Sequence, residues 1–145
     1  FGIRLFTEGN RVFISEAFEG APGLAAGLDR GVEVLAVGTS ASNLQNVADI
    51  IASGGSVSAA LGPNDPGVTR TFRIRNTAGV DSIITATKAD YALDPVSDRY
   101  GSRILTDGGK KVGYVNLRTF IVSNADQQLR DVFANFKAQN VTEVI

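Results

Sequence analysis

The chain has 145 residues, 43% hydrophobic and 20% charged, with 14 basic against 15 acidic side chains and a formal net charge of −1. This is a globular composition without the basic surplus expected of a nucleic-acid partner, and no apolar run reaches the roughly 18–20 residues of a membrane span. The absence of cysteine and histidine excludes cysteine nucleophiles, Cys/His zinc sites and a Ser-His-Asp triad among these residues. Methionine is absent too, so the sequence is expected to be a piece of a longer protein.

Phe1 to Thr7 reads as a strand, Glu8-Gly9-Asn10 as a hairpin turn and Arg11 to Phe18 as the returning strand, with Val12 and Ile14 alternating against Phe13 and Ser15. Pro22 suits the first position of a short Ala-rich helix that Gly27 stops, and Val32 to Val37 is a buried strand. Ser42-Asn43-Leu44-Gln45 has the spacing of a capping box. A helix is therefore expected from there, with Leu44, Val47, Ile50 and Ile51 on one face and Gly54-Gly55 at its end. Ser56 to Leu61 forms a second short helix, stopped by Gly62-Pro63, and residues 64–67 form a loop. Val68 to Asn76 and Val80 to Lys88 form a hairpin around Thr77-Ala78-Gly79, with Arg70, Arg73 and Arg75 as its polar surface.

Beyond Tyr91 the pattern changes. Ala92 to Tyr100 reads as a linker, and Arg103 to Thr106 and Lys111 to Leu117 flank the turn Asp107-Gly108-Gly109. Asn124 caps a helix reaching about Gln139 whose apolar face is Leu129, Val132, Phe133 and Phe136, and Val141 to Ile145 is a further strand. Strand, helix, strand is the opening of an α/β unit that cannot cover both faces of its sheet, so this second domain is expected to be truncated. The domains are read as 1–92, a linker and hairpin start over 93–110, and 111–145.

Ala21-Pro22-Gly23-Leu24-Ala25-Ala26-Gly27-Leu28, then Gly31 and Val34-Leu35-Ala36-Val37, resembles the signature of bacterial protease-associated PDZ domains, with Val32 where that pattern has Asp. Gly109-Lys110-Lys111-Val112-Gly113-Tyr114-Val115-Asn116-Leu117-Arg118-Thr119-Phe120, Ala125 to Leu129 and Val141 to Ile145 resemble the start of the protease domain of the carboxyl-terminal processing, or tail-specific, proteases. The resemblance implies an α+β chain: a PDZ-like small β-barrel or sandwich with short helices, followed by the opening hairpin and βαβ elements of an α/β protease domain. It implies a parent endopeptidase with a Ser nucleophile and a Lys general base, both downstream of Ile145 in the family pattern, so no catalytic residue is assigned here. It further implies protein or peptide substrates recognised through their C-termini, no cofactor, and a bacterial periplasmic or cell-envelope location.

Within that resemblance, Phe1-Gly2-Ile3-Arg4-Leu5 is similar to a carboxylate-binding loop and the strand that pairs with a peptide by β-augmentation. Val57, Ala60 and Leu61 are nominated as the helix wall of the groove, with the helix expected over Leu44 to Ile51 as the competing wall. Simple core packing explains each of these residues equally well. Lys110-Lys111 beside Gly108-Gly109 does not meet G-x-x-x-x-G-K-S/T; Asp90, Asp94, Asp98 and Asp107 lack an EF-hand spacing; and the sequon Asn140-Val141-Thr142 reads as incidental. The rival to a protease is a non-enzymatic PDZ module that recruits a partner protein.

Overall fold

A computed structural model describes residues 1–145. The chain divides into two compact units, Phe1–Ala92 and Leu93–Ile145.

In the first unit, strands β1 (Ile3–Glu8), β2 (Arg11–Ala17), β3 (Glu33–Gly38), β5 (Thr69–Arg75) and β6 (Asp81–Thr87) lie in the order β1-β2-β3-β5-β6, all antiparallel, and the short β4 (Leu44–Asn46) pairs with β3. The sheet is open, with β1 and β6 at the ends of its order, rather than the closed barrel or sandwich expected. Its core is built from Val12 and Ile14 of β2, Val34 and Val37 of β3, which lie on either side of a register shift at Leu35, and Phe72 and Ile74 of β5, all at most 4% exposed. Leu28, just past helix α1 (Pro22–Ala25), is wholly buried among them. Partners shift by one between Arg4/Glu16 and Leu5/Ile14, leaving Ser15 as a bulge in β2. That extra residue is what lets Ala17 and Ile14, three apart, both face the core.

The capping box does not form. Leu44–Asn46 is drawn into the sheet as β4, opposite Gly38 to Ala36, and helix α2 (Val47–Ala52) starts only after Asn46. The Ser42 hydroxyl instead bonds Ser40 Oγ at 3.0 Å. Sheet pairing satisfies three residues' backbone groups, which outweighs a single side-chain cap. Helix α3 (Val57–Ala60) is one turn long.

The arginines of β5 are not a uniform solvated surface. Arg75 binds Asp81 through two hydrogen bonds of 2.7 and 3.1 Å, and Arg11 binds Glu33 through two of 2.7 and 3.0 Å. Arg75 also lies 3.9 Å from the Glu33 carboxylate, linking the two pairs.

The second unit holds the sheet β7-β8-β9 (Ser102–Asp107, Lys110–Val115, Glu143–Val144) and helix α4 (Ala125–Ala138). β9 runs parallel to β8, so β8-α4-β9 is a βαβ crossover. Phe136, 2% exposed, packs directly on β8: a Cβ at Gly113 would come 2.6 Å from its ring. The stretch read as a linker is tied down. Ser97 N donates to Asn116 O, Arg118 N to Pro95 O, and Val96 bridges Leu117. Phe120, Ile121 and Phe133 remain 71%, 84% and 45% exposed, and Phe120, Val122, Leu129 and Phe133 line an open groove of about 480 Å3. No helix is long and apolar enough to cross a membrane.

Candidate functional site

Phe1 and Gly2 lead into β1, which pairs only with β2, so its other edge is uncovered by any strand. The peptide planes fix where its first amides point. Phe18 N donates to Gly2 O at 2.8 Å, so that carbonyl faces β2; the trans peptide then aims the Ile3 N–H toward the open edge. Gly23 N donates to Phe1 O at 2.9 Å, which likewise turns the Gly2 N–H away from α1.

Gly2 has φ +68, and a Cβ there would overlap Ala21 Cβ and sit 3.0 Å from Tyr91 Cζ. Its missing side chain is thus demanded by packing within the unit, whatever else approaches it.

Of the residues singled out from the sequence, Phe1, Ile3, Leu5, Val57, Ala60 and Leu61 all join one apolar cluster around Phe72. Phe1 meets Phe72 edge-on at 5.5 Å. Val57 is 6% exposed, and Ile3, Leu5, Ala60 and Leu61 are partly buried against the same core. Arg4 does not join them. It alternates to the other face, 3.3 Å from Glu16 and over the ring of Phe18. Ile50 and Ile51 of α2 also pack on the cluster, whereas Leu44 has been taken into β4.

A cavity of about 310 Å3 opens beside Gly2, lined by Phe1, Gly2, Asn64, Lys88, Asp90 and Tyr91 among others. Val57, Ala60 and Leu61 are not in its wall. Lys88 is 5% exposed, and burial lowers the pKa of its ammonium, with the Arg70 charge acting in the same direction and Asp65 opposing it. Burial likewise raises the Tyr91 phenol, helped by Glu16. The sequence reading passed over Lys88, although it continues the inward alternation of Ile84 and Ala86 and is in phase with the core. No cluster of three or more His, Cys, Asp or Glu residues comes together to hold a metal.

The arrangement of the elements has known counterparts. A photosystem II D1 C-terminal processing protease superposes on 99% of this chain with a TM-score of 0.59 at 19% identity. The chain shares the fold of the C-terminal processing proteases. A Bacteroides fragilis protein assigned to the S41 proteases matches over 98% of the chain, with a TM-score of 0.57 at 21% identity. The PDZ domain of the carboxy-terminal protease of Vibrio cholerae, solved with a peptide, matches 63% of this chain and 94% of its own, with a TM-score of 0.48 at 17% identity. The present chain spans 38% and 37% of the two longer proteins. No family model and no curated protein sequence matches it.

Proposed function

We propose that the first unit is a PDZ-type module that captures protein C-terminal tails for a serine endopeptidase of the C-terminal processing class, of which this chain is a part. The observation that carries the reading is the uncovered edge of β1, with the Ile3 N–H aimed at that edge and the Gly2 N–H turned away from α1, beside the apolar Ile3, Leu5, Val57 and Ala60. An extended tail can add there as a strand, its terminal carboxylate accepting from those amides and its last side chain resting against the cluster. Cleavage belongs to the longer chain, by a Ser nucleophile with a Lys base, and no residue of these 145 is given that role.

The test is titration calorimetry with paired free-acid and amidated peptides ending in Ala, Val or Leu. Affinity for the free acid is expected to be on the order of micromolar. Amidation should weaken it by roughly 1.5–3 kcal/mol, the range for a hydrogen bond to a charged group. Equal affinity for both forms would reject the carboxylate site. Peptide chemistry is the clean perturbation, because Gly2→Val would disturb Ala21 and Tyr91 before any ligand arrived.

A further inference from the structure

Helix α3 is too short to hold itself. A single turn gains almost nothing from its own hydrogen bonds, so its position must be imposed from outside. Two cations of the β5–β6 hairpin impose it. Arg70 Nε donates to Ala60 O at 2.9 Å, and Lys88 Nζ donates to Gly62 O at 3.0 Å, Pro63 O at 2.6 Å and Asn64 Oδ1 at 3.4 Å. Both charges therefore sit at the carbonyl end of α3, where a cation is favoured. The three oxygens around Lys88 are carbonyl oxygens rather than carboxylates, so the ammonium is held by geometry and not by an ion pair at those contacts.

Lys88 also reaches the opposite wall. Its Nζ lies 5.0 Å from the centroid of the Phe1 ring, which packs on Phe72 and leads directly into Gly2 and β1. One buried side chain thus spans from the turn after α3 to the root of β1. Val57, Ala60, Ile3 and Leu5 all pack on the same core, so the width of the groove between α3 and β1 depends on where α3 is held.

We propose that Arg70 and Lys88 are positioning residues that hold α3 relative to the start of β1 and so set how large a tail side chain the groove admits. This rests on the peptide-binding reading above and adds to it what sets the tail's size.

Calorimetry with free-acid peptides ending in Ala and in Phe gives the affinity ratio of the wild-type protein. Lys88→Met should move the Ala-to-Phe affinity ratio about tenfold toward Phe, and Lys88→Arg should restore it. Without peptide, amide exchange over residues 57–62 should speed up about tenfold in Lys88→Met, while Val12 and Val34 keep their protection. If Lys88→Met unfolds the first unit, Arg70→Gln, which loses only the bond to Ala60 O in the clamp, gives the same two readouts. An unchanged affinity ratio, or unchanged exchange across α3, overturns the clamp. Failure of the wild-type protein to bind either peptide overturns the peptide reading and the size limit with it. The exchange measurement then still decides whether the two cations hold α3.

Discussion

Gly2 and Gly9 make a matched pair for separating backbone strain from crowding. Both have left-handed backbone, at φ +68 and +61. Placing an L side chain in that conformation costs about 1–2 kcal/mol at either site. They differ in their surroundings. A Cβ at Gly9 meets nothing within 4 Å, whereas one at Gly2 overlaps Ala21 Cβ and lies 3.0 and 3.1 Å from two atoms of the Tyr91 ring. Ala21 is 1% exposed and anchors the start of α1, so it has little room to retreat. Overpacking of that kind adds roughly 1–3 kcal/mol. Gly9→Ala should therefore lose about 1–2 kcal/mol and Gly2→Ala about 2–5 kcal/mol. Urea denaturation followed through the amide resonances of Val12, Val34 and Phe72 measures the first unit alone. Adding Ala21→Gly to Gly2→Ala should recover the share of the crowding due to the Ala21 methyl, because glycine is tolerated at a helix N-cap, while the Tyr91 contacts remain. Equal losses at the two glycines, or no recovery in the double variant, would refute the claim that Gly2 is required by its neighbours.

Two further outcomes follow from the charge and aromatic packing. The hydrogen bond from Arg11 holds the Glu33 carboxyl below its usual 4.5 despite burial, with the Arg11 and Arg75 charges adding to the effect. A depressed carboxylate contributes stability that is fully present above its unfolded pKa and is lost as pH falls through 4.5 toward the lower folded value. The gap in urea midpoint between wild type and Glu33→Gln should accordingly close on acidification below that pH; a gap that stays constant contradicts the linkage. In the second unit, Phe136→Ala should cost about 3–5 kcal/mol, read as lost amide protection at Val115 and Ile145, whose N–H groups cross between β8 and β9. Phe133→Ala, at a side chain left 45% exposed, should cost well under half as much, and equal losses would mean that Phe133 is covered in solution.

The hairpins were legible because their signals are local. Gly9, Gly79 and Gly108 mark turns, and the alternation in residues 11–14 and 72–75 separates core from surface without reference to the rest of the chain. The start of α2 was not legible. Ser42 to Gln45 satisfies a local rule, but β3 offers Leu44–Asn46 a partner that no local rule can see. The hold on residues 93–100 was hidden for the same reason, since Pro95 and Ser97 find their partners at Arg118 and Asn116. At the candidate site, β1 and the apolar character of Val57, Ala60 and Leu61 could be read from the sequence. The inward turn of Arg4's neighbours, and not of Arg4 itself, follows from strand alternation. Lys88 escaped because a lysine at a strand end is ordinarily solvated, and only the fold brings the carbonyls of Gly62 and Pro63 to it.

The extra residue at Ser15 also bears on how the protein behaves in a crowded solution. An uncovered edge strand is a template for any chain that can lie straight beside it, including a second copy of the same protein. The bulge in β2 twists the β1–β2 ribbon just where the edge would otherwise run flat, and Arg4 and Glu8 place charges along it. Deleting Ser15 would leave Val12, Ile14 and Ala17 in regular alternation, so the hairpin could still fold with its core face intact. The damage would surface elsewhere, as a straighter edge on which molecules stack into insoluble assemblies. On this reasoning an irregularity of one residue is what should keep an open edge from pairing with its own kind.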